Sequence, residues 1–547
     1  VRRAVTVQQE PLFNGPPSEW IAPKVSQLPS WSQARRIAVD CETRDDDLKT
    51  KGSGAFRGDG KLVGVSFAIE GGPAHYLPLA HYRGGNVSDP SMALTYLRNQ
   101  AAAFTGTVVG MNLPYDLGYL MKAGVLFDSN VKFRDVRVNE ALIDEFQDDY
   151  SLQGISQRYL MPGKDEYLLS QAAKHFGCDP KAQLWALPAK YVGLYAEQDA
   201  RLALEILGRQ QRRIDEQHLG DIVELEGQVL PVILKMQARG VRVNMEKLER
   251  VEKWTLDQET DALEQVFMLT GHRIKVGDTL WPAALAPALT AAGVSLGLNE
   301  NGQPHIDKFV LEGAGQVGAY LTHARKVSKL RNTFGQSIRE HAVNGRIHCT
   351  FNQLVRPRDR GDGVQGARFG RISCSRPNLQ QQPSRDDFAC MWRDIYEPEE
   401  GGLWGSADYS QQEPRMQTHY AVLEDVPGAK EAMREYHVDP NLDHHDMMAK
   451  LTGLERKDAK AIYLGLCYGM GSGKLARSLG LPVEVKFVEK VGKYIEVAGP
   501  EAMAIIKTFR RKAPHVTALA KVAEQQAQAV GYLVTIGGRV CRFPKNG

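Results

Sequence analysis

Residues 403–415 read Leu-Trp-Gly-Ser-Ala-Asp-Tyr-Ser-Gln-Gln-Glu-Pro-Arg. A short apolar entry leads to Asp408, and beyond it the chain turns abruptly polar. The pattern predicts a strand ending at Asp408 and a helix starting near Glu413. It sets one carboxylate at the mouth of an open site, where it could hold a divalent cation. A plainer reading is also open, in which Asp408 and Ser410 simply cap that helix. The flanking stretches 368–383 and 456–470 bear on the choice.

Residues 455–470 read Glu-Arg-Lys-Asp-Ala-Lys-Ala-Ile-Tyr-Leu-Gly-Leu-Cys-Tyr-Gly-Met. Arg456, Lys460, Leu464 and Tyr468 recur every fourth residue, on one slowly drifting stripe of a helix. Two cations followed by an apolar and an aromatic side chain could take a triphosphate at one end and a base at the other. An amphipathic helix with ordinary charges would look the same. The run Gly469-Met-Gly-Ser-Gly-Lys474 lacks the Gly-x4-Gly-Lys-Ser/Thr spacing and follows a helix, which argues against a P-loop. His444-His445-Asp446 falls on another predicted helix. Neighbouring positions there lie about 100° apart, so a shared metal is awkward, and His445 is expected to contact phosphate.

Upstream, residues 355–376 are basic and glycine-rich and end in Ala-Arg368-Phe-Gly-Arg371-Ile-Ser-Cys-Ser-Arg376. Glycines beside arginines allow close approach to a bulky anion, although a flexible surface loop has the same composition. In the Pro377-Asn378-Leu-Gln380-Gln-Gln-Pro383 run that follows, amides could read minor-groove acceptors, which are similar for all base pairs.

The first third of the chain carries a second set of acids. Arg-Ile-Ala-Val-Asp-Cys-Glu-Thr, residues 36–43, reads as a strand whose period of two sets Asp40 and Glu42 on one face. Two carboxylates on one face are costly unless a cation or protons neutralise them; exposure on a sheet edge is the alternative. Strands are predicted at 62–69 and 75–79, a helix near 91–104, and a strand from 107 that enters a loop at Asn112. Asp116 then starts a helix, where it would also pass for an N-terminal charge. Tyr195 and Asp199 lie four apart on one helix face, where Asp199 could equally be solvated. Together Asp40, Glu42, Asp116 and Asp199 would suit two divalent cations about 3.5–4 Å apart, which activate water and stabilise the leaving oxygen of a phosphodiester. Tyr195 could orient that water.

Between these regions, residues 221–240 predict a helix with Pro231 inside it and Gly240 at its C-cap, with a short extended exit over 241–244. A helical region continues to about 340, broken near 293–304. Its last helix, 316–341, carries His323, Arg325, Lys326, Lys329, Arg331 and Arg339. Such a run suits either a solvated face or a grip on duplex phosphates.

The chain has 547 residues, enough for about three or four domains. Hydrophobic content of 43% and charged content of 24% are ordinary for a globular protein. No apolar run reaches the ~18 residues of a membrane span, and no secretory signal pattern opens the chain. Seven scattered cysteines without a Cys-x-x-Cys pair favour a reducing compartment over a disulfide framework or a zinc site. The net charge of +3 leaves nucleic-acid chemistry open, because acidic metal sites can offset basic grooves.

The motifs Asp40-x-Glu42, Asn112-x3-Asp116 and Tyr195-x3-Asp199, in this order, resemble those of proofreading 3′–5′ exonucleases with an RNase-H-like fold. Residues 368–383, 403–415 and 456–470 resemble the core motifs of family A DNA polymerases, the family of the bacterial DNA polymerase I large fragment and of phage replicases. The resemblance covers roughly residues 30–547. It implies an α/β and α+β multidomain chain, in which an RNase-H-like exonuclease domain precedes a right-hand polymerase. The expected divisions are an N-terminal arm (1–30), exonuclease (31–215), thumb (216–345), first part of the palm (346–424), fingers (425–520) and the start of a returning palm segment (521–547).

By that resemblance Asp408 is a catalytic metal ligand and the Tyr409 carbonyl also touches metal. Gln411, Glu413, His445, Arg456, Lys460, Leu464 and Tyr468 form the dNTP site. Within it Glu413 excludes a 2′-hydroxyl, Arg456 and the catalytic Lys460 hold the triphosphate, and Tyr468 stacks near the templating pair. Arg325, Lys329, Arg368, Arg371, Asn378 and Gln380 contact DNA. Asp40, Glu42, Asp116 and Asp199 hold metal in the exonuclease, with Tyr195 catalytic.

The implied cofactor is Mg²⁺, two ions per site, with Mn²⁺ as a substitute. The implied partners are primer–template DNA, dNTPs and a single-stranded 3′ end, together with processivity or replisome factors. The implied location is the cytoplasm, that of the host cell if the chain is phage-encoded. Three departures stand out. Leu464 replaces the usual Phe or Tyr, with Tyr463 about 100° round the helix. Gln412 and Pro414 replace apolar residues around Glu413. The family's His-Asp-Glu motif is expected after the hairpin-like run 531–539 and does not occur up to Gly547. It is therefore expected on a continuation of the chain or on a separate C-terminal polymerase polypeptide. A competing reading keeps only the exonuclease active, with a polymerase half that binds primer–template without synthesis.

Overall fold

The structure, a computed structural model, describes residues 15–299, 301–354, 369–383, 387–488 and 493–543. The chain divides into two units, Val1–Leu403 with Gly537–Arg539, and Trp404–Ile536 with Val540–Gly547.

The first unit is built on a five-stranded sheet of β1 (Arg36–Arg44), β2 (Lys61–Ile69), β3 (Ala74–Pro78), β4 (Thr107–Gly110) and β5 (Lys132–Asp135), in the order β3-β2-β1-β4-β5. β3, β2 and β1 are antiparallel, whereas β4 and β5 run parallel to β1. This mixed sheet, with helices on both faces, is the layout expected of an RNase-H-like domain. Period-two alternation along β1 decides which residue faces which helix. Ile37, Val39 and Cys41 point into a core shared with Trp31, Phe67, Leu97, Leu117 and Leu230. Ala38 points the other way, where it packs with Ala68, Ala74, Ala200 and Ala203. Small side chains on that face let the helix Gly193–Glu216 lie close against the sheet. Asp40 and Glu42 continue the Ala38 face toward that helix, and the β1–β2 register shifts just after Glu42.

The helix Gly220–Arg239 contains Pro231 and ends at Gly240, whose φ of 62° favours glycine. Val241–Val243 then enters a small sheet with Ala342–Val343, Arg346–Ile347 and Tyr396–Glu397. Thr350–Asn352 lies outside this sheet and pairs instead with Ser373–Ser375. Met245–Thr270 is capped by Asn244, whose side chain accepts from the Lys247 amide. The predicted helix 316–341 forms as Gly315–Lys329, a π-helical turn Leu330–Gly335, and Gln336–His341.

The second unit is mainly helical. Helices His444–Thr452, Arg456–Cys467, Ser472–Ser478 and Pro500–Lys512 enclose Met448, Ile462, Tyr463, Leu475, Ile506 and Phe509. Tyr532–Val534 pairs with Val540–Arg542, which confirms the hairpin expected there.

The opening stretch differs from expectation. Residues 403–409 form no strand and are all exposed, because among the described residues nothing supplies a ladder for them. Neither Asp408 nor Ser410 caps the next helix, Gln412–Leu423. Its N-cap is Gln411, at φ 52°, with no side-chain cap hydrogen bond. Among the described residues no helix is long and apolar enough to cross a membrane.

Candidate active sites

In the first unit, three elements bring the predicted acids together. β1 supplies Asp40 and Glu42. The turn at Asn112, in the left-handed region at φ 63°, starts the helix Leu113–Lys122 and presents Asp116 from its first turn. Asp135 holds that turn by accepting from the Asn112 and Leu113 amides at 3.2 and 2.9 Å. Asp116 is buried and its Oδ1 accepts from the Cys41 amide at 3.0 Å, which ties the helix to β1. Tyr195 and Asp199 come from the helix across the Ala38 face.

Burial is the largest influence on all four carboxyls. It lifts Asp40 to about 7, helped by the Asp199 charge and opposed by Lys164. It holds Glu42 well above the usual range, with Asp40 adding to the effect. Asp116 is likewise pushed well up, by burial and then by Asp40. Asp199 is raised by burial against the pull of Lys164. Crowded carboxyls of this kind favour any cation that can reach them.

A cation already touches this group. The Lys164 ammonium donates to Asp199 Oδ2 at 2.5 Å and to the Tyr195 hydroxyl at 2.9 Å, and it lies 4.5 Å from the centre of the Tyr195 ring. Sequence reasoning missed both Lys164 and Asp135. Asp199 Oδ1 is buried and, among the described residues, has no hydrogen-bond partner. An all-oxygen donor set with one orphaned buried oxygen fits a hard divalent ion. Even so, among the described residues no three His, Cys, Asp or Glu side chains converge as a set for one ion.

Of the predicted DNA contacts, Arg325 is half-buried and Lys329 exposed on the helix Gly315–Lys329. Other members of that basic run bind acids of the neighbouring helix Met245–Thr270: Arg331 pairs with Glu259 and Arg339 with Glu252. Arg371 is exposed, whereas Arg368 lies outside the described residues. Asn378 caps its own turn by accepting from the Gln380 amide, and the Gln380 side chain donates to the Ile372 carbonyl at 3.0 Å. These two amides are committed to the loop itself.

In the second unit, Arg456, Lys460, Leu464 and Tyr468 do form an outward stripe along the helix Arg456–Cys467, while Ala459, Ile462 and Tyr463 face the core. Tyr463 is fully buried and donates to Gln417 Oε1, so it does not stand in for the missing aromatic at Leu464. Leu464, Tyr468, Glu413, Gln417, Tyr420 and Leu519 line a cavity of about 320 Å³. Across it the Tyr468 hydroxyl donates to Glu413 Oε1 at 2.7 Å. Asp408 and Tyr409 are exposed.

Gln411 braces this region from behind, donating to the Leu442 carbonyl and accepting from the His444 amide, both at 2.6 Å. Arg456 pairs with Asp443 at 2.5 Å and Asp446 at 3.0 Å. His445 is corrected from an open phosphate contact to a nearly buried ring, 5% exposed and packed edge-on against Tyr463. Its protonation is disfavoured chiefly by burial. The physical reason is the cap: Asp443 accepts from the His445 and Asp446 amides and so starts the helix with both histidines turned inward.

Residues 288–546 match the family described as DNA polymerase family A. The chain is 50% identical to a DNA-directed DNA polymerase of Pseudomonas phage M6, over 98% of this chain and 85% of that protein. It is 30% identical to DNA polymerase DpoZ of Acinetobacter phage SH-Ab 15497, over 95% of this chain and 84% of that protein. It is 27% identical to DNA polymerase I of Pseudomonas aeruginosa, over 95% of this chain and 54% of that protein. Among solved structures, it shares its fold with the POL domain of Pol1 from M. smegmatis in complex with DNA primer-template and dNTP. The TM-score is 0.69 at 19% identity, over 94% of this chain and 79% of that one. The chain belongs to DNA polymerase family A, as a DNA-directed DNA polymerase of the phage type.

Proposed function

We propose that this polymerase extends a primer on a DNA template with dNTPs and trims mismatched 3′ ends in a separate 3′–5′ exonuclease site, as part of phage DNA replication. The observation that carries the exonuclease half is the gathering of four carboxyls beside Tyr195, Asp116 and Asp199 buried and Asp40 and Glu42 half-buried, each raised chiefly by loss of solvent. A binding platform without nuclease chemistry gains nothing from crowding acids in this way. Likeness to a structure holding primer-template and dNTP supports the same ligands here.

In the exonuclease site, Asp40, Glu42, Asp116 and Asp199 would hold Mg²⁺ or Mn²⁺. When bound, such ions supply a polarised water and charge stabilisation for the leaving oxygen. Tyr195, which meets Lys164 through its hydroxyl, would orient that water by a hydrogen bond. In the polymerase site, Asp408 and the Tyr409 carbonyl would hold metal. Lys460 would bind the triphosphate, with Arg456 joining it by leaving Asp443. Leu464 and Glu413 would bracket the sugar, and Tyr468 the base. Glu413 against the 2′ position would disfavour ribonucleotides.

Two assays test these halves separately. Asp408→Ala should abolish primer extension and leave 3′ trimming of a single-stranded oligonucleotide intact. Asp40→Ala with Glu42→Ala should abolish trimming and spare extension. Continued extension in the first variant, or continued trimming in the second, defeats the corresponding half.

A further inference from the structure

Lys164 belongs to none of the exonuclease motifs, yet its ammonium makes the closest polar contact to Asp199. It comes from the segment before the helix Tyr167–Phe176, where its own amide is fixed by Gln153 Oε1 at 2.7 Å. The next residue is anchored as well, since the Asp165 amide donates to Gln198 Oε1 at 2.9 Å. The backbone is therefore pinned from two sides, and the side chain reaches Tyr195 and Asp199 as a four-carbon tether. Its side chain is 14% exposed and that of Asp199 8% exposed. An ammonium so enclosed binds strongly to whichever anion it faces.

Asp199 itself is divided. Oδ2 is taken by Lys164, whereas Oδ1 is buried and, among the described residues, without a partner. A divalent ion sharing Asp199 would meet the lysine charge at close range, and like charges there oppose each other. A phosphodiester entering the site would offer Lys164 a second anion.

We propose that Lys164 is a tethered cation which stands on Asp199 and passes to a non-bridging oxygen of an incoming single-stranded 3′ end. Binding of the DNA end and loading of a divalent cation at Asp199 are thereby linked. This rests on the exonuclease reading of the site. Lys164 acts through Asp199 and the substrate phosphate, so it is a positioning residue. By linkage, DNA strengthens ion binding and the ion strengthens DNA binding by the same factor.

The test is calorimetric titration of Mn²⁺ into the full chain at pH 8.5, in an Asp408→Ala background that removes the polymerase ligand. Titrations are run with and without a single-stranded oligonucleotide carrying 3′ phosphorothioate linkages. Without DNA, Lys164→Met should bind Mn²⁺ about tenfold more tightly than the parent, within the range usual for coupled sites. Adding DNA should tighten the parent by about tenfold more than it tightens Lys164→Met. Lys164→Arg, which keeps the charge, should follow the parent, and Lys164→Gln should follow Lys164→Met, so that the outcome does not hang on one variant's folding. Equal Mn²⁺ affinity in the parent and both neutral variants, or equal tightening by DNA, overturns the proposal. The two ideas fail separately: a chain that shows this coupling and never trims DNA defeats only the exonuclease reading, whereas one that trims without coupling defeats only the role of Lys164.

Discussion

Replacing Asp45 with alanine tests how the strand that bears Asp40 and Glu42 is held at its far end. Asp45 follows β1, and its side chain and that of Arg57 are each only 2% exposed. The carboxylate accepts from the Arg57 guanidinium at 2.9 Å, the Gly54 amide at 2.7 Å and the Tyr119 hydroxyl at 2.8 Å. One carboxylate thus joins the end of β1, the loop 52–60 and the helix that carries Asp116. Removing it strands a buried amide and a phenol, and leaves Arg57 to the Gly52 carbonyl and to Asp59, whose side chain is 52% exposed. Breaking one side of a buried ion pair costs about 3–5 kcal/mol. The remaining Asp59 contact argues for the lower end, about 3 kcal/mol, or roughly 150-fold in a local opening constant.

Because the chain has more than one unit, a single unfolding midpoint would blur this effect. Native-state hydrogen exchange read by mass spectrometry resolves it. Peptides covering 52–62 and 113–122 should exchange faster by about that factor, while peptides from the second unit stay unchanged. Asp59→Asn serves as the control and should have an effect several-fold smaller, since that contact is half in water. Exchange within threefold of wild type in 52–62, or an equal effect from Asp59→Asn, would refute the reasoning.

Further outcomes follow from other contacts. Tyr468→Phe removes the hydroxyl that donates to Glu413; at this exposed site about 1 kcal/mol is at stake. Discrimination between dNTP and rNTP in single-nucleotide incorporation should then fall roughly fivefold, with thermal stability unchanged. Arg331→Met leaves Glu259 buried at 0% exposure with, among the described residues, only neutral donors, the Thr279 hydroxyl and the Gly277 amide. Faster exchange in 245–270 should follow, at a cost of about 3 kcal/mol.

His81 gives a pH dependence. Its Nδ1 faces the Leu187 carbonyl at 2.9 Å and so must donate, which leaves Nε2 to accept from the Tyr76 hydroxyl at 2.6 Å. Burial lowers this ring to about 4 from the ordinary 6.5. Between those values the unfolded chain binds the extra proton, so stability is full above about 6.5 and falls as the pH drops toward 4. The total loss is about 3 kcal/mol, and His81→Asn should flatten that limb of a pH–exchange profile.

Four of the sheet's five strands, the two acid-bearing pairs of the first unit and the Arg456 stripe were readable because each rests on a short-range period. Asp40 and Glu42 are two apart on a strand, Tyr195 and Asp199 four apart on a helix, and Arg456 to Tyr468 four apart on another. Periods of this kind fix a face without reference to the rest of the molecule. What escaped depends on contacts across long separations. Lys164 reaches Asp199 over 35 residues, and Asp135 reaches the Asn112 turn over 23. No local pattern marks either as special.

The fate of His445 shows the same boundary from the other side. Its place on a helix followed from the sequence, but whether that helix turned it out to phosphate or in toward Tyr463 depended on where the helix began. That start is set by the Asp443 cap. The strand expected to end at Asp408 fails for a related reason. An apolar run can define a strand's faces, but its hydrogen bonds belong to a neighbour, and among the described residues 403–409 has none. Local period therefore chooses the side chains that serve a site, whereas caps, partner strands and distant counter-ions decide how those side chains are presented.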